Sequence, residues 1–149
     1  MSQSDTTELF HLFSKVRTEK EMEQYLAQHT VTTSIRDYFN DYIASHSVTT
    51  AEIARRCSGL ISKSYVYDLL NGQKEQPSRD IILILCLAAH MNRKETRRTL
   101  ELFQLRDLYV KDSRDIIIAT AINLENFDID AINDKLAAHG LEILNGKKA

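Results

Sequence analysis

The groups in this 149-residue chain that could do chemistry are five histidines, two cysteines, scattered carboxylates and a run of basic side chains. The histidines, His11, His29, His46, His90 and His139, fall at or near expected helix ends. A cationic ring near a helix C-terminus is favourable on its own. No HxxxH or HExxH spacing occurs, so the histidines do not read as metal ligands. Cys57 and Cys86 lie inside apolar helical patterns with no CxxC. They read as small buried hydrophobes in a reducing compartment. No GxSxG places a nucleophile, and no GxGxxG or GxxxxGK cradles a phosphate. Carboxylate pairs such as Asp128 and Asp130 sit where helix capping accounts for them. The expectation is no enzyme, no cofactor and no metal.

Charge is more informative by segment than in total. The formal net charge is −2, so the chain as a whole is no polybasic coat for nucleic acid. Residues 48–111, however, carry 11 basic and 7 acidic groups, net +4, between flanks that are each net −3. A nucleic-acid surface would have to lie in that middle segment. Within it, Arg93, Lys94, Arg97 and Arg98 recur at one-turn spacing. They read either as a solvated face paired with Glu95 and Glu101 along the helix, or as a ridge for phosphates or an acidic partner. Tyr65 and Tyr67 could contact sugars and thymine methyls, or Tyr65 could pack into the core and leave Tyr67 half exposed.

The elements that must position these groups are helices. One Pro and four Gly are too few turn residues for a sandwich or barrel. With 43% apolar and 27% charged residues, the balance is that of an ordinary globular chain. Apolar periodicity predicts helices over about 6–17, 19–29, 35–46, 50–57, 63–71, 79–91, 93–105, 113–123 and 129–139. Thr18 to Glu21 and Thr49 to Glu52 match the capping box, and Asn92 to Glu95 is a close variant. Asp112 and Asp128 are N-cap candidates, while Gly72 and Gly140 mark helix ends. The helix over 79–91 is apolar on nearly every side and should be the central buried one. Its apolar stretch, Ile81 to Ala89, is nine residues, against about 20 for a bilayer span. The N-terminus lacks a signal-peptide pattern. A cytoplasmic protein without a membrane partner is therefore expected.

One internal echo stands out. Ser78-Arg-Asp-Ile-Ile82 and Ser113-Arg-Asp-Ile-Ile117 are identical segments 35 positions apart. Either Ser and Asp are simply favoured at helix starts, or both arginines pair with acidic partners and lock helix pairs together.

The stretch from Thr49 to Asn92 resembles the lambda-repressor/Cro-like (XRE) helix-turn-helix family. Thr49-Thr-Ala-Glu-Ile-Ala54 is similar to the family's second helix. Ser62-Lys-Ser-Tyr-Val-Tyr-Asp-Leu-Leu-Asn-Gly72 is similar to its recognition helix and glycine stop. Pro77-Ser78 with Ile81, Ile82 and Leu85 is similar to the proline-led fourth helix. A longer pattern resembles a group of small bacterial regulators within that family: Ser58 to Tyr67, Asn71-Gly-Gln-Lys74, Pro77-Ser-Arg-Asp80 and Leu108 to Asp115.

The resemblance implies an all-α fold: a lambda-repressor-like five-helix core with extra N- and C-terminal helices. It divides the chain into an N-terminal helical extension (1–33), a DNA-binding domain (34–107) and a C-terminal helical hairpin (108–149). It implies a transcriptional regulator that lays the helix over 63–71 in the major groove of double-stranded DNA. Lys63, Ser64 and Tyr67 would face the bases, with Asp68 at the margin, and Lys63 could donate to guanine O6 and N7. Thr50, Asn71, Lys74 and Arg79 would hold phosphates. A homodimer is expected, to reach two half-sites about 34 Å apart, with residues 6–29 or the last two helices as its face. The alternative is that those helices only extend the core. Three departures from the family support a second reading. Thr50 stands where Gln is usual, the turn from Ala54 to Ser62 is two residues longer, and Asp68 replaces a basic or amide residue. On that reading the chain is a protein-interaction adaptor on a helix-turn-helix scaffold that no longer binds DNA.

Overall fold

The computed structural model describes residues 6–29, 34–73 and 76–146, and every regular element among them is helical. The chain divides into two compact units, Met1–Thr33 and Ser34–Ala149. No helix among the described residues is long and apolar enough to cross a membrane.

The first unit is a helix pair, α1 (Thr6–Phe13) and α2 (Glu19–His29). Thr18 starts α2 by accepting from the Glu21 amide at 3.0 Å. The expected helix over 6–17 stops at Phe13. There the Ser14 hydroxyl donates to the His11 carbonyl at 2.6 Å, and the Lys15 and Val16 amides fall back to i−3 carbonyls. A serine that bonds its own backbone competes with helix continuation. Phe13 and Tyr25 meet with ring centroids 5.3 Å apart, and the Tyr25 hydroxyl donates to the Leu9 carbonyl. Phe10, Phe13 and Leu26 remain more than half exposed.

The second unit holds α3 (Ile35–His46), α4 (Thr50–Arg56), α5 (Lys63–Leu70), α6 (Arg79–Ala88), α7 (Arg93–Leu102), α8 (Ser113–Asn123) and α9 (Ile129–Ala138). Each has a side-chain N-cap: Ser34, Thr49, Ser62, Ser78, Asn92, Asp112 and Asp128. Asn92 and Glu95 complete a capping box. The centre is α6, every residue of which from Ile81 to Ala88 is buried. It packs against α4, α7 and α9. The tyrosine hydroxyls drawn into this core are satisfied, whereas the buried Thr96 hydroxyl has no hydrogen-bond partner among the described residues. The Tyr42 hydroxyl donates to the Ala89 carbonyl at 2.6 Å, and Tyr38 shares a 2.8 Å hydrogen bond with Thr99.

The repeated pentapeptide marks two structurally matching helix pairs within this unit, α6–α7 and α8–α9. Arg79 grips Asp115 through two hydrogen bonds of 3.1 and 2.9 Å, and Arg114 grips Asp80 through two of 2.9 and 2.8 Å. Each arginine also donates to two carbonyls of the segment after the following helix. Arg79 takes those of Arg106 and Asp107, and Arg114 those of Glu142 and Ile143. The match continues along the chain. Both first helices reverse on a positive φ, at His90 and Glu125, and both second helices do so at Gln104 and Gly140. Leu108 and Leu144 are the buried anchors of the two extended tails. Of the two explanations for the echo, the cross-lock is the one realised. Only Ser78 of the two serines is an N-cap, because Asp112 takes that place before α8.

Candidate functional site

At about 100° per residue, α5 has two distinct faces. Tyr65, Val66, Leu69 and Leu70 are buried in the core. Lys63, Ser64 and Asn71 are exposed on the opposite side, with Tyr67 and Asp68 half-buried beside them. Tyr65 is therefore a core residue, and burial pushes its phenol pKa up. The Lys63 ammonium lies 5.9 Å from the Tyr67 ring centroid, a cation–π contact that holds the long side chain along the outer face. Ser62 starts the helix by accepting from the Tyr65 amide at 3.3 Å.

The helix ends in a Schellman motif. The Gln73 amide donates to the Asp68 carbonyl and the Gly72 amide to that of Leu69, with Gly72 at φ +75. A Cβ there has room, 3.5 Å from Ile35 Cβ, so conformation alone sets the cost of a side chain. Gly72→Ala should destabilise the unit by about 1–2 kcal/mol. Chemical denaturation checks this, and an unchanged midpoint would show that the turn tolerates an L-residue.

Helix α4 meets α5 through the connector over 57–62. Thr49 accepts from the Glu52 amide at 3.1 Å and donates to the Glu52 carboxylate at 3.2 Å. Thr50 is half-buried at this end, and the Glu52 carboxylate beside it would oppose a phosphate. Within the connector, Cys57 and Ile61 are buried anchors, and burial pushes the Cys57 thiol up to about 12. The far side of the connector is braced by the chain's last described residues. Leu144 is fully buried and exchanges two hydrogen bonds with Asn133. The Asn145 amide donates to Asp80. Gly146 lies so close to the Leu60 carbonyl that any side chain there would overlap it. The tail over 141–146 is thus a strap from α9 across the start of α6 to the turn before α5.

Arg79 departs from the expected phosphate role. Four of its five guanidinium hydrogens are directed at Asp115 and the Arg106 and Asp107 carbonyls, so the side chain is committed to the cross-lock. Lys74 lies outside the described residues. Among the α7 cations, Arg93 pairs with Asp107 at 3.1 Å rather than along its own helix. Glu95 serves the Asn92 cap and His46 at 2.6 Å. Among the described residues no three His, Cys, Asp or Glu side chains gather as metal ligands. The sequence reading missed Arg55, which is exposed and lines a cleft with Lys63 at the connector. Comparison with protein-family models, curated proteins and solved structures gives no match.

Proposed function

We propose that the chain is a sequence-specific regulator of transcription that reads double-stranded DNA with α5, on a lambda-repressor-like core in which α4 and α5 are the helix-turn-helix. The observation that carries this reading is the outer face of α5. Lys63 and Ser64 in its first turn, with Tyr67 one turn on, lie opposite the inner face of Tyr65, Val66, Leu69 and Leu70 that is buried in the core. A recognition helix needs this division: one side fixed to the core, and the N-terminal residues of the other free to reach base edges. Lys63 would donate to guanine, Ser64 would adapt to several bases, and Asn71 would hold a phosphate at the helix end. Thr50 would be a secondary phosphate contact, given the carboxylate beside it. Two copies would read paired half-sites, joined through the apolar faces of α1 and α2. Light scattering that gives a monomer at micromolar concentration would reject that dimer.

Selection from a random duplex library tests the reading, with the Lys63→Ala protein as control. The variant should lose about 1–3 kcal/mol of discrimination at one base pair. The same base preferences in both proteins would remove Lys63 from the reading set. One observation favours the adaptor reading. Asp68 lies at the margin of the same face, so the helix has no net charge with which to approach a polyanion. Recovery of no consensus duplex, together with a stoichiometric protein partner in nuclease-treated extract, would favour that reading.

A further inference from the structure

The cleft between α4 and α5 differs in charge from two other clefts among the described residues of the second unit. It measures about 300 Å³ and is lined by Ala51, Ala54, Arg55, Ser58, Gly59, Ile61, Ser62 and Lys63. Two cations and two hydroxyls line it, and no carboxylate does. The cleft around Arg56 and His90 includes Glu125, Asp128 and Asp130. The one around Arg79, Arg106 and Arg114 includes Asp112, Asp115 and Glu142. In the second unit Arg56, Arg79, Arg93 and Arg114 each have an acidic partner. No hydrogen bond or ion pair joins the Arg55 side chain to a described residue. The chain therefore leaves an arginine unneutralised beside Lys63, where α5 begins. At Gly59 (φ +89) a Cβ would meet nothing within 4 Å, so that side of the cleft is open to a ligand.

We propose that Arg55, with Ser58, forms a phosphate-binding site in this cleft that takes a backbone phosphodiester of the bound duplex, with Lys63 at its rim left to the bases. This rests on the DNA reading above and adds Arg55 to it. A guanidinium fits a phosphate through two parallel hydrogen bonds, and Ser58 can donate a third. Since the cleft ends at the first residue of the reading face, a phosphate seated in it fixes how far along the groove α5 sits. Arg55 thereby acts on register and affinity and leaves base preference to the residues of α5.

Two measurements test this with the full chain. In the first, duplex affinity is titrated against salt for the wild type and Arg55→Gln. The variant should show a slope of log K against log [salt] smaller by about 0.9, and it should weaken selected and scrambled duplexes by the same factor. An unchanged slope, or a changed preference at one base pair, overturns the proposal. In the second, inorganic pyrophosphate is titrated while amide resonances are followed. Saturable shifts at Ser58, Gly59 and Lys63 in the wild type but not in Arg55→Gln support the cleft, even if no duplex binds and the DNA reading falls. No such shifts in a protein that also binds no duplex overturn both proposals.

Discussion

Asp115→Ala will cost the second unit about 3–5 kcal/mol, the range seen when one partner of a buried ion pair is removed. The Asp115 side chain is 1% exposed and that of Arg79 17%. Its carboxylate accepts both Arg79 hydrogen bonds and the Tyr109 amide at 2.9 Å. Truncation leaves a guanidinium and an amide without their acceptor in a space water barely reaches. Asp80→Ala should cost less, about 1–2 kcal/mol, because Asp80 and Arg114 each keep 19% of the side chain exposed and water can replace part of what is lost. Equal losses from the two substitutions would show that burial does not set the cost. The Asp115 pair also imposes a pH dependence. Burial pushes the Asp115 carboxyl upward, but Arg79 and the Tyr109 amide outweigh it and hold the pKa below the usual carboxylate value. The stabilisation is therefore complete above the unfolded-state pKa of about 3.9 and is lost as pH falls through the lower folded value. Wild type and Asp115→Ala should converge in stability below about pH 4. A constant difference down to pH 2 would assign the loss to packing.

The N-terminus of each helix in this unit was legible in the sequence because each is written in a single residue. Thr49, Asn92, Asp112 and Asp128 cap as expected, Ser78 does so in the first pentapeptide, and Ser34 and Ser62 are of the same capping type. C-termini were legible where glycine makes the reversal. The expected ends before Gly72 and Gly140 fall within one residue of those observed. Where His90 and Gln104 take the positive φ, the expected ends of α6 and α7 run three residues too far, since neither type announces a left-handed turn. Glu125 is an exception, because the apolar run stops at Ile122 and so marks the end of α8. The outer face of α5 was legible from its motif. Arg79 was not, because its partner lies 36 positions away and only the second copy of the pentapeptide hints at it. Arg55 was not legible either. Its cleft depends on the path of a connector that has no periodicity to read.

Leu144→Ala tests whether the strap does more than finish the fold. The side chain is fully buried although it belongs to an extended tail. Truncating a buried leucine costs about 2–5 kcal/mol, depending on how far the surroundings collapse. The lower half of that range is expected, because a tail can move inward more easily than a helix. Ile143→Ala is the control. Ile143 is 44% exposed, and a surface change of this kind shifts stability by about 0.5 kcal/mol at most. The consequence should reach the connector. The strap holds the turn before α5 through backbone contact of Gly146 with Leu60, and it is pinned upstream by Arg114 and Asn133. Once Leu144 no longer anchors it, Leu60 and Ile61 lose their backing. Amide exchange over 57–62 should then accelerate more than exchange within α6, whose burial is untouched. If α5 reads DNA as proposed, duplex affinity should fall for all sequences alike, because its whole first turn would lose its fixed position while its side chains stay the same. Uniformly faster exchange across the unit would mean that the strap only adds stability. Faster exchange confined to the connector, with an unshifted base preference, would mean that the C-terminal strap holds α5 at the angle the proposed reading requires.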